Sequence, residues 1–460
     1  MADETIPEEN GTTLVPSKNH DARQGHALYN KGYFSMFLFY YIVEGSNNGL
    51  LSIFVPIFLI KSALPGIDEG FVLTLATFTM LPFTIKILWG IISDRFPIGR
   101  LGRRRPYISA FIILCGVSWL LLIAVLPFIQ SLTMAVLILL GLLIETGAAF
   151  SDTALDGLIM DITPAEQLGR VEGGTWACYS IGGIMGGTLG IYLWSMIGSG
   201  IPVFVMFGCL SIVCGVLIWT IKEPAQAGHR FDLDMLKSLL KKKRYWNGYL
   251  FSLATHLPQN AISTLLALLL LIKLGILGSG SMGLMFLLDD DLTWYVLAFQ
   301  LSAAGGIVTA SLVLGRLADK HDRKKIFAGG LLVLLVVLPV VPFIVVDLPS
   351  ALLVAFLVGL VLGCMSTMTM TFVASITQEN PAATSTHFSI FTSFMNAGST
   401  IGLGIFAAIT EALLESGVAA LEVYAITFFI APLLALVSVP FVKGLPARPR
   451  LARTELEGKP

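Results

Sequence analysis

Twelve stretches of this sequence stay apolar for about 20 residues each, the length a helix needs to cross a bilayer. They run over 33–60, 70–93, 106–127, 132–155, 171–197 and 201–221, then over 247–273, 293–316, 326–346, 350–376, 386–414 and 419–442. Hydrocarbon cannot hydrogen-bond a backbone, so each stretch has to satisfy its own peptide groups as a helix. The fold class expected is therefore an all-α polytopic membrane protein. Of the 460 residues 55% are hydrophobic and 13% are charged, about half the charge of an ordinary soluble domain.

Lys and Arg set the expected orientation. Of 29 such residues, all but Lys61, Lys86 and Lys273 fall in segments on one side, which the positive-inside rule assigns to the cytoplasm. The acidic Asp68, Glu69, Asp289, Asp290 and Asp291 fall on the other side. Both termini are then cytoplasmic and the chain sits in the cell membrane. Residues 1–31 are polar and the first apolar run is too long for a cleaved signal, so insertion is expected to start with span 1 itself.

The expected organisation is an N-terminal tail (1–32), six spans (33–221), a cytoplasmic linker (222–246), six more spans (247–442) and a C-terminal tail (443–460). Within the linker, 232–244 has the pattern of a short interfacial helix, with Leu233, Leu236, Leu239 and Leu240 toward lipid. A solvated linker fits the same residues.

The two sets of six repeat one another. After span 2 comes GIISDRFPIGRLGRRRPY, and after span 8 comes GRLADKHDRKKI, which aligns Asp94 with Asp319. EGSNN in span 1 (Glu44 to Asn48) aligns with HLPQN in span 7 (His256 to Asn260). ITPAEQLGR after span 4 aligns Pro164 with Pro381 of ITQENPAATS after span 10. Parallel repeats of this kind put a substrate path between the halves near the bilayer midplane.

The Gly–x–x–x–Asp–Arg…Gly–Arg–Arg–Arg loop, present in two copies, resembles the signature of the major facilitator superfamily. LPFTIKILWGIISD with GRRRPY, and FSDTALDGLIMD at Phe150 to Asp161, are similar to the folate–biopterin transporters and the muropeptide permeases. The GRRRP ending is also similar to cation–sugar symporters. The resemblance implies twelve helices in two six-helix halves that rock around a central site, and a switching role for the loop. The expected gating set is Gly90, Asp94, Arg95, Arg103, Arg104 and Asp156, with Gly315, Asp319 and Arg323 in the second half. The arginines can pair with carboxylates and helix C-termini across the halves.

Ionisable groups at bilayer depth cost several kcal/mol and are functional candidates by default. Glu44 lies about 16 Å into span 1, Lys86 about 12 Å and Asp152 about 14 Å from the inner surface, at ~1.5 Å per residue. Glu145, Asp152 and Asp156 form an acidic stripe on span 4. Lys86 is a partner in reach of Asp152 or Glu44, and Asp156 is expected to relay to Arg95 or Arg104. The cluster is expected to bind and release a proton, with a static ion-pair network as the alternative. Asn47 and Asn48 add a polar patch beside Glu44. In span 7, His256, Gln259 and Asn260 flank Pro258, which bends a helix and frees a carbonyl. The hydroxyls of Ser366 to Thr371, with Trp176, Tyr179, Gln378 and Asn396, are weaker cavity candidates. Gly182, Gly183, Gly186 and Gly187 suit close helix contact.

Other function classes find no support. The net charge of −1 suggests no nucleic-acid partner. The five cysteines lie in apolar runs without metal-ligand spacing and read as reduced, buried side chains, and no cofactor is expected. No phosphate-binding GxxxxGK loop, HExxH or GxSxG in a strand–turn–helix setting occurs. An enzyme is not expected. The leading reading is a secondary active transporter, a proton symporter of a small polar organic solute, working as a monomer in membrane lipid. The alternative is a non-transporting scaffold that keeps the transporter fold.

Overall fold

The computed structural model describes residues 29–61, 69–125, 134–223, 231–277 and 290–447. The outer tails, Asp68 and Asp289, and the side chains of Glu69, Asp290 and Asp291, lie outside the described residues. Among the described residues eleven helices are long and apolar enough to cross a membrane: Lys31–Leu59, Arg105–Val125, Ala135–Ile162, Ala165–Ile197, Ile201–Thr220, Lys243–Lys273, Leu292–Lys320, Arg323–Ile344, Leu348–Thr377, Pro381–Glu415 and Ala420–Val442. They are spans 1 and 3 to 12. Span 2 completes the twelve in three pieces, Glu69–Thr79, Leu81–Thr84 and Lys86–Arg95. Pro82 sits in the middle piece, and Ile85 leaves helical geometry at φ −91° and ψ 20°. The freed carbonyl of Pro82 is satisfied by Trp89 Nε1 at 2.9 Å, the repair a broken membrane helix needs.

Several helices outrun the apolar stretches that announce them. Span 4 continues to Ile162 and span 5 begins at Ala165. Hydropathy marks where the hydrocarbon ends, whereas a helix ends where its backbone hydrogen bonds end. Asp156, Asp161 and Glu172 are consequently all helical.

The halves are knit by helices in backbone contact. A side chain at Gly182 or Gly186 of span 5 would run into the carbonyls of Ile42 and Ser46 of span 1. In the second half the same relation recurs: a side chain at Gly398 or Gly402 of span 11 would meet the carbonyls of Leu253 and Leu257 of span 7. Without a hydrophobic force between helices in lipid, such close approach supplies the dispersion contacts that hold them. Gly183 and Gly187 face the same seam more loosely, against the Gly45 carbonyl and Ile53. Three of the five thiols, Cys115, Cys214 and Cys364, are buried as expected, whereas Cys209 is exposed on span 6. At bilayer depth, lipid accepts that outer face as readily as the core would.

The linker carries a helix, Leu233–Lys241, capped by Asp232, whose Oδ1 accepts the Met235 N–H at 2.7 Å. Leu239 is fully buried, so it packs on the protein and does not enter lipid; Leu240 is 40% exposed. This helix, the Arg95–Arg105 loop and the turn before Arg323 share one end of the bundle, called here the basic end.

Replacing Gly186 by Ala should lower the thermal midpoint of the purified protein, because a methyl forced against backbone costs about 1–3 kcal/mol. Gly404→Ala, which meets nothing within 4 Å, should leave the midpoint unchanged or raise it. Equal midpoints for both variants would contradict the close span 1–span 5 seam.

Candidate functional site

Lys86 opens the lower piece of span 2, directly after the break, and is 5% exposed. Its ammonium bonds the Asp152 carboxylate of span 4 and lies 3.5 Å from Asp156 Oδ2. Tyr41 of span 1 donates to Asp156 Oδ1 at 2.5 Å. Glu44, one turn along from Tyr40, brings its carboxyl to that of Asp152. Its Oε2 is buried with no hydrogen-bond partner. Glu172, near the start of span 5, is 5% exposed and lies within electrostatic range of the Asp156 and Asp152 carboxylates. Three carboxyl groups, those of Asp152, Asp156 and Glu44, therefore surround one ammonium with Glu172 beyond them, and spans 1, 2, 4 and 5 of the first half supply the five groups.

Asp156 thus turns to Lys86 and Tyr41, away from the arginines expected as its partners. Glu172 and Tyr41 escape a reading by apolar runs. Glu172 lies at the edge of its run, where a charge looks like ordinary surface. Nothing in the order of residues tells that a tyrosine faces a carboxylate. Glu145 sits two turns along span 4, buried beside Cys115 and Tyr179, with Oε2 unpartnered. Asn47 is placed differently from its expected role. Its amide takes Trp119 Nε1 at 2.8 Å and reaches Ser211 and the Val43 carbonyl at 3.0 Å, all inside the first half.

Among the described residues the second half brings no charge to this cluster. His256 is buried, and its Nδ1 lies 3.0 Å from the Ser252 carbonyl and 3.1 Å from the Thr255 hydroxyl, within span 7. Gln259 donates to Ser366 of span 10 at 2.5 Å. Asn260 and Ser263 of span 7, and Asn396 and Thr400 of span 11, are exposed polar groups on membrane helices, as is Ser52 of span 1. Asn48 is partly exposed. Trp176 and Tyr179 stack on span 5 at 5.4 Å. A separate apolar pocket of the first half, lined by Leu51, Phe58, Trp119, Ile144 and Phe204 among others, holds none of the charged groups.

At the basic end the halves are bolted together twice, in mirrored fashion. Asp94 Oδ2 accepts the Thr386 N–H at 2.7 Å and its hydroxyl at 2.6 Å, capping span 11 from the other half. Asp319 does the same for span 5, accepting the N–H groups of Gly169 and Arg170 at 2.7 and 2.8 Å. Gly90 and Gly315 let the helices meet, for a side chain there would strike Ser389 and the Gly169 carbonyl. Arg104 reaches Asp94 at 2.5 Å, and Thr384 and Ser385 of span 11 at 2.6 Å. Arg103 reaches Asp161 at 2.6 Å and the carbonyls of Pro381 and Ala382 at 3.3 Å. Glu223 accepts the N–H groups of Arg103 and Arg104 at 2.7 and 2.8 Å. In the second lock Arg323 bonds Ser375 and lies 3.8 Å from Asp319. Gln378 bridges to the carbonyls of Met160 and Thr163 at 3.1 and 2.7 Å, which makes it part of this closure and not of a cavity. Arg95 stays out of the lock, exposed and 5.6 Å above the Phe96 ring.

A charge cluster at depth, a bolted end and twelve helices in two repeats are the parts of a carrier. The family model of the Major Facilitator Superfamily matches residues 37–385 and 277–460. The chain belongs to that superfamily. It is thereby a multi-pass membrane protein of a superfamily of carriers. In the superfamily's solved members the fold recurs. The chain is similar to the E. coli fucose:proton symporter, with TM-score 0.66 and 14% identity over 90% of this chain and 98% of that one. It is similar to a bacterial homologue of the iron transporter ferroportin, with TM-score 0.64 and 13% identity over 89% and 98%. These likenesses establish the fold alone. Among curated sequences it is similar to the Arabidopsis thaliana "Probable folate-biopterin transporter 4", 33% identical over 126 residues, 26% of this chain and 24% of the relative. It is also similar to "Probable folate-biopterin transporter 9, chloroplastic" of the same plant, 31% identical over 112 residues, 24% of this chain and 20% of the relative. The chain spans about a quarter of the length of these relatives or less.

Removing one member of a buried pair strands the other and costs about 3–5 kcal/mol, whereas removing both costs far less. Lys86→Met should therefore destabilise the purified protein strongly. Lys86→Met with Asp152→Asn should recover more than half of the lost thermal midpoint. Additive losses would show that the two side chains do not depend on each other.

Proposed function

We propose that the chain is a secondary active transporter that couples a small polar organic solute to the movement of protons. The observation that carries this is the surplus of carboxyl groups around Lys86. Fully ionised, Glu44, Asp152, Asp156 and Glu172 would outnumber their one counter-ion in a medium that solvates none of them. Such a cluster keeps its place in the membrane by taking up cations, and protons are the cations that carboxyl groups take up most readily. A lone static network would match its charges.

The route from cluster to closure is short. Lys86 and Asp94 share the lower piece of span 2, eight residues and about 12 Å apart. Asp152, Asp156 and Asp161 share span 4. A proton that weakens the hold of Asp152 on Lys86 frees the segment that carries the Asp94 lock, and the break at Ile85 lets it turn. The exposed polar groups Ser52, Asn260, Ser263, Asn396 and Thr400, with the partly exposed Asn48, line the solute path between the halves, with Trp176 and Tyr179 at its edge. The basic end, by its Lys and Arg content, is cytoplasmic, and both termini lie there. The chain acts as a monomer in the cell membrane. The names of the curated relatives make folates and biopterins the first solutes to test.

The test is uptake of labelled biopterin and folate into proteoliposomes under an imposed proton gradient, beside exchange of the same solutes without one. Wild-type protein should accumulate one of them against its gradient. Glu44→Gln and Asp152→Asn should each lower accumulation by tenfold or more, the order of a lost charge-assisted contact, while exchange persists. Undiminished accumulation in both variants would overturn the coupling role of the cluster.

A further inference from the structure

The linker helix and the start of span 7 carry five cations in thirteen residues: Lys237, Lys241, Lys242, Lys243 and Arg244, against Asp232 and Asp234. All five are exposed. Lys237 pairs with Asp234 at 2.8 Å and Arg244 with Glu379 at 2.7 Å. Lys242 lies 5.2 Å over the Tyr245 ring. Lys241 and Lys243 make no ion pair among the described residues. Lys243 also stands where the chain gains nothing from its charge. Lys243 and Arg244 occupy the first turn of span 7, whose first turn holds no acid, and a cation at a helix N-terminus is unfavourable.

Trp246, 39% exposed, donates from Nε1 to the Leu240 carbonyl at 2.7 Å, and Leu240 is 40% exposed. An indole and a leucine, outward-facing and joined at the mouth of a membrane span, mark the depth of the bilayer interface. The buried Leu239 and the 3.5 Å contact from the Tyr249 hydroxyl to its carbonyl fix the helix to the second half at that height. We propose that the segment Lys241–Arg244, with Leu240 and Trp246, is a docking surface for anionic phospholipid, the phosphates held by Lys241 and Lys243 and the acyl chains by the two apolar side chains. Charge complementarity selects this occupant, since the apolar flank needs hydrocarbon and the cations need phosphate in one molecule. This assignment is independent of what the transporter carries.

The full-length protein is placed in nanodiscs of phosphatidylcholine with and without phosphatidylglycerol. The phosphatidylglycerol retained after detergent extraction is weighed by mass spectrometry, and the thermal midpoint is followed in parallel. Wild-type protein should retain phosphatidylglycerol over phosphatidylcholine and gain stability from it. Lys241→Gln with Lys242→Gln and Lys243→Gln should lower that preference by tenfold or more, given about 1 kcal/mol per lysine at a charged surface. The charge-reversing pair Lys241→Glu and Lys243→Glu should lower it further. Arg316→Gln with Lys320→Gln and Lys325→Gln, an equal loss of charge at exposed sites of the same end, should keep it. Equal retention by wild type and the Lys241 variants overturns the proposal, and so does equal loss in the Arg316 control. A gain in stability from water-soluble glycerophosphoglycerol as large as that from the lipid would also overturn it, since a free phosphate would then suffice.

Discussion

Hydrocarbon solvates neither peptide groups nor ions, and that one constraint accounts for most of this molecule. It makes every crossing segment a helix. It forces the break in span 2 to be mended by Trp89. It drives helices together through glycines, because lipid gives apolar side chains no reason to leave it. It also makes the cluster around Lys86 costly, so that its presence calls for a use.

The cluster and the two locks are mechanically one object. Span 2 holds Lys86 above and Asp94 below; span 4 holds Asp152 and Asp156 above and Asp161 below. Both rods lie in the first half, while the ends they grip, Thr384 to Thr386 and Pro381, belong to the second. The second half answers with Asp319 on the start of span 5. An internal duplication has produced the same joint twice, a carboxylate of one half capping a helix of the other. The copies differ in reinforcement: two buried arginines and Asp161 surround Asp94, whereas one buried arginine, Arg323, attends Asp319.

The architecture was legible from the sequence because bilayer thickness and helix rise fix the length of an apolar run, and because the repeat preserves Asp94 and Asp319. Counting residues put Lys86 within reach of Asp152 or Glu44, and the structure pairs it with Asp152. Counting along one helix could not say which residue of another faces it. Asn47 looked like part of the path and points into its own half. Asp156 looked bound for the arginines and meets Lys86. Gln378 looked like a cavity residue and ties the closure. Asp161, Glu172 and Glu223 stand at the margins of apolar runs, where sequence does not tell a working carboxylate from a solvated one.

The partition of these contacts bears on how the chain is made. Every group the cluster needs, from Tyr41 to Glu172, emerges from the ribosome before span 6 is complete. The first half can settle in the bilayer with Lys86 already paired to its carboxylates and the surplus carboxyl groups free to take up protons. The contacts that must await the second half, those of Asp94 and the paired arginines, lie at the bundle's end, where water can attend them until Thr386 is synthesised. Assembly therefore never requires Lys86 to wait in lipid for a helix of the second half.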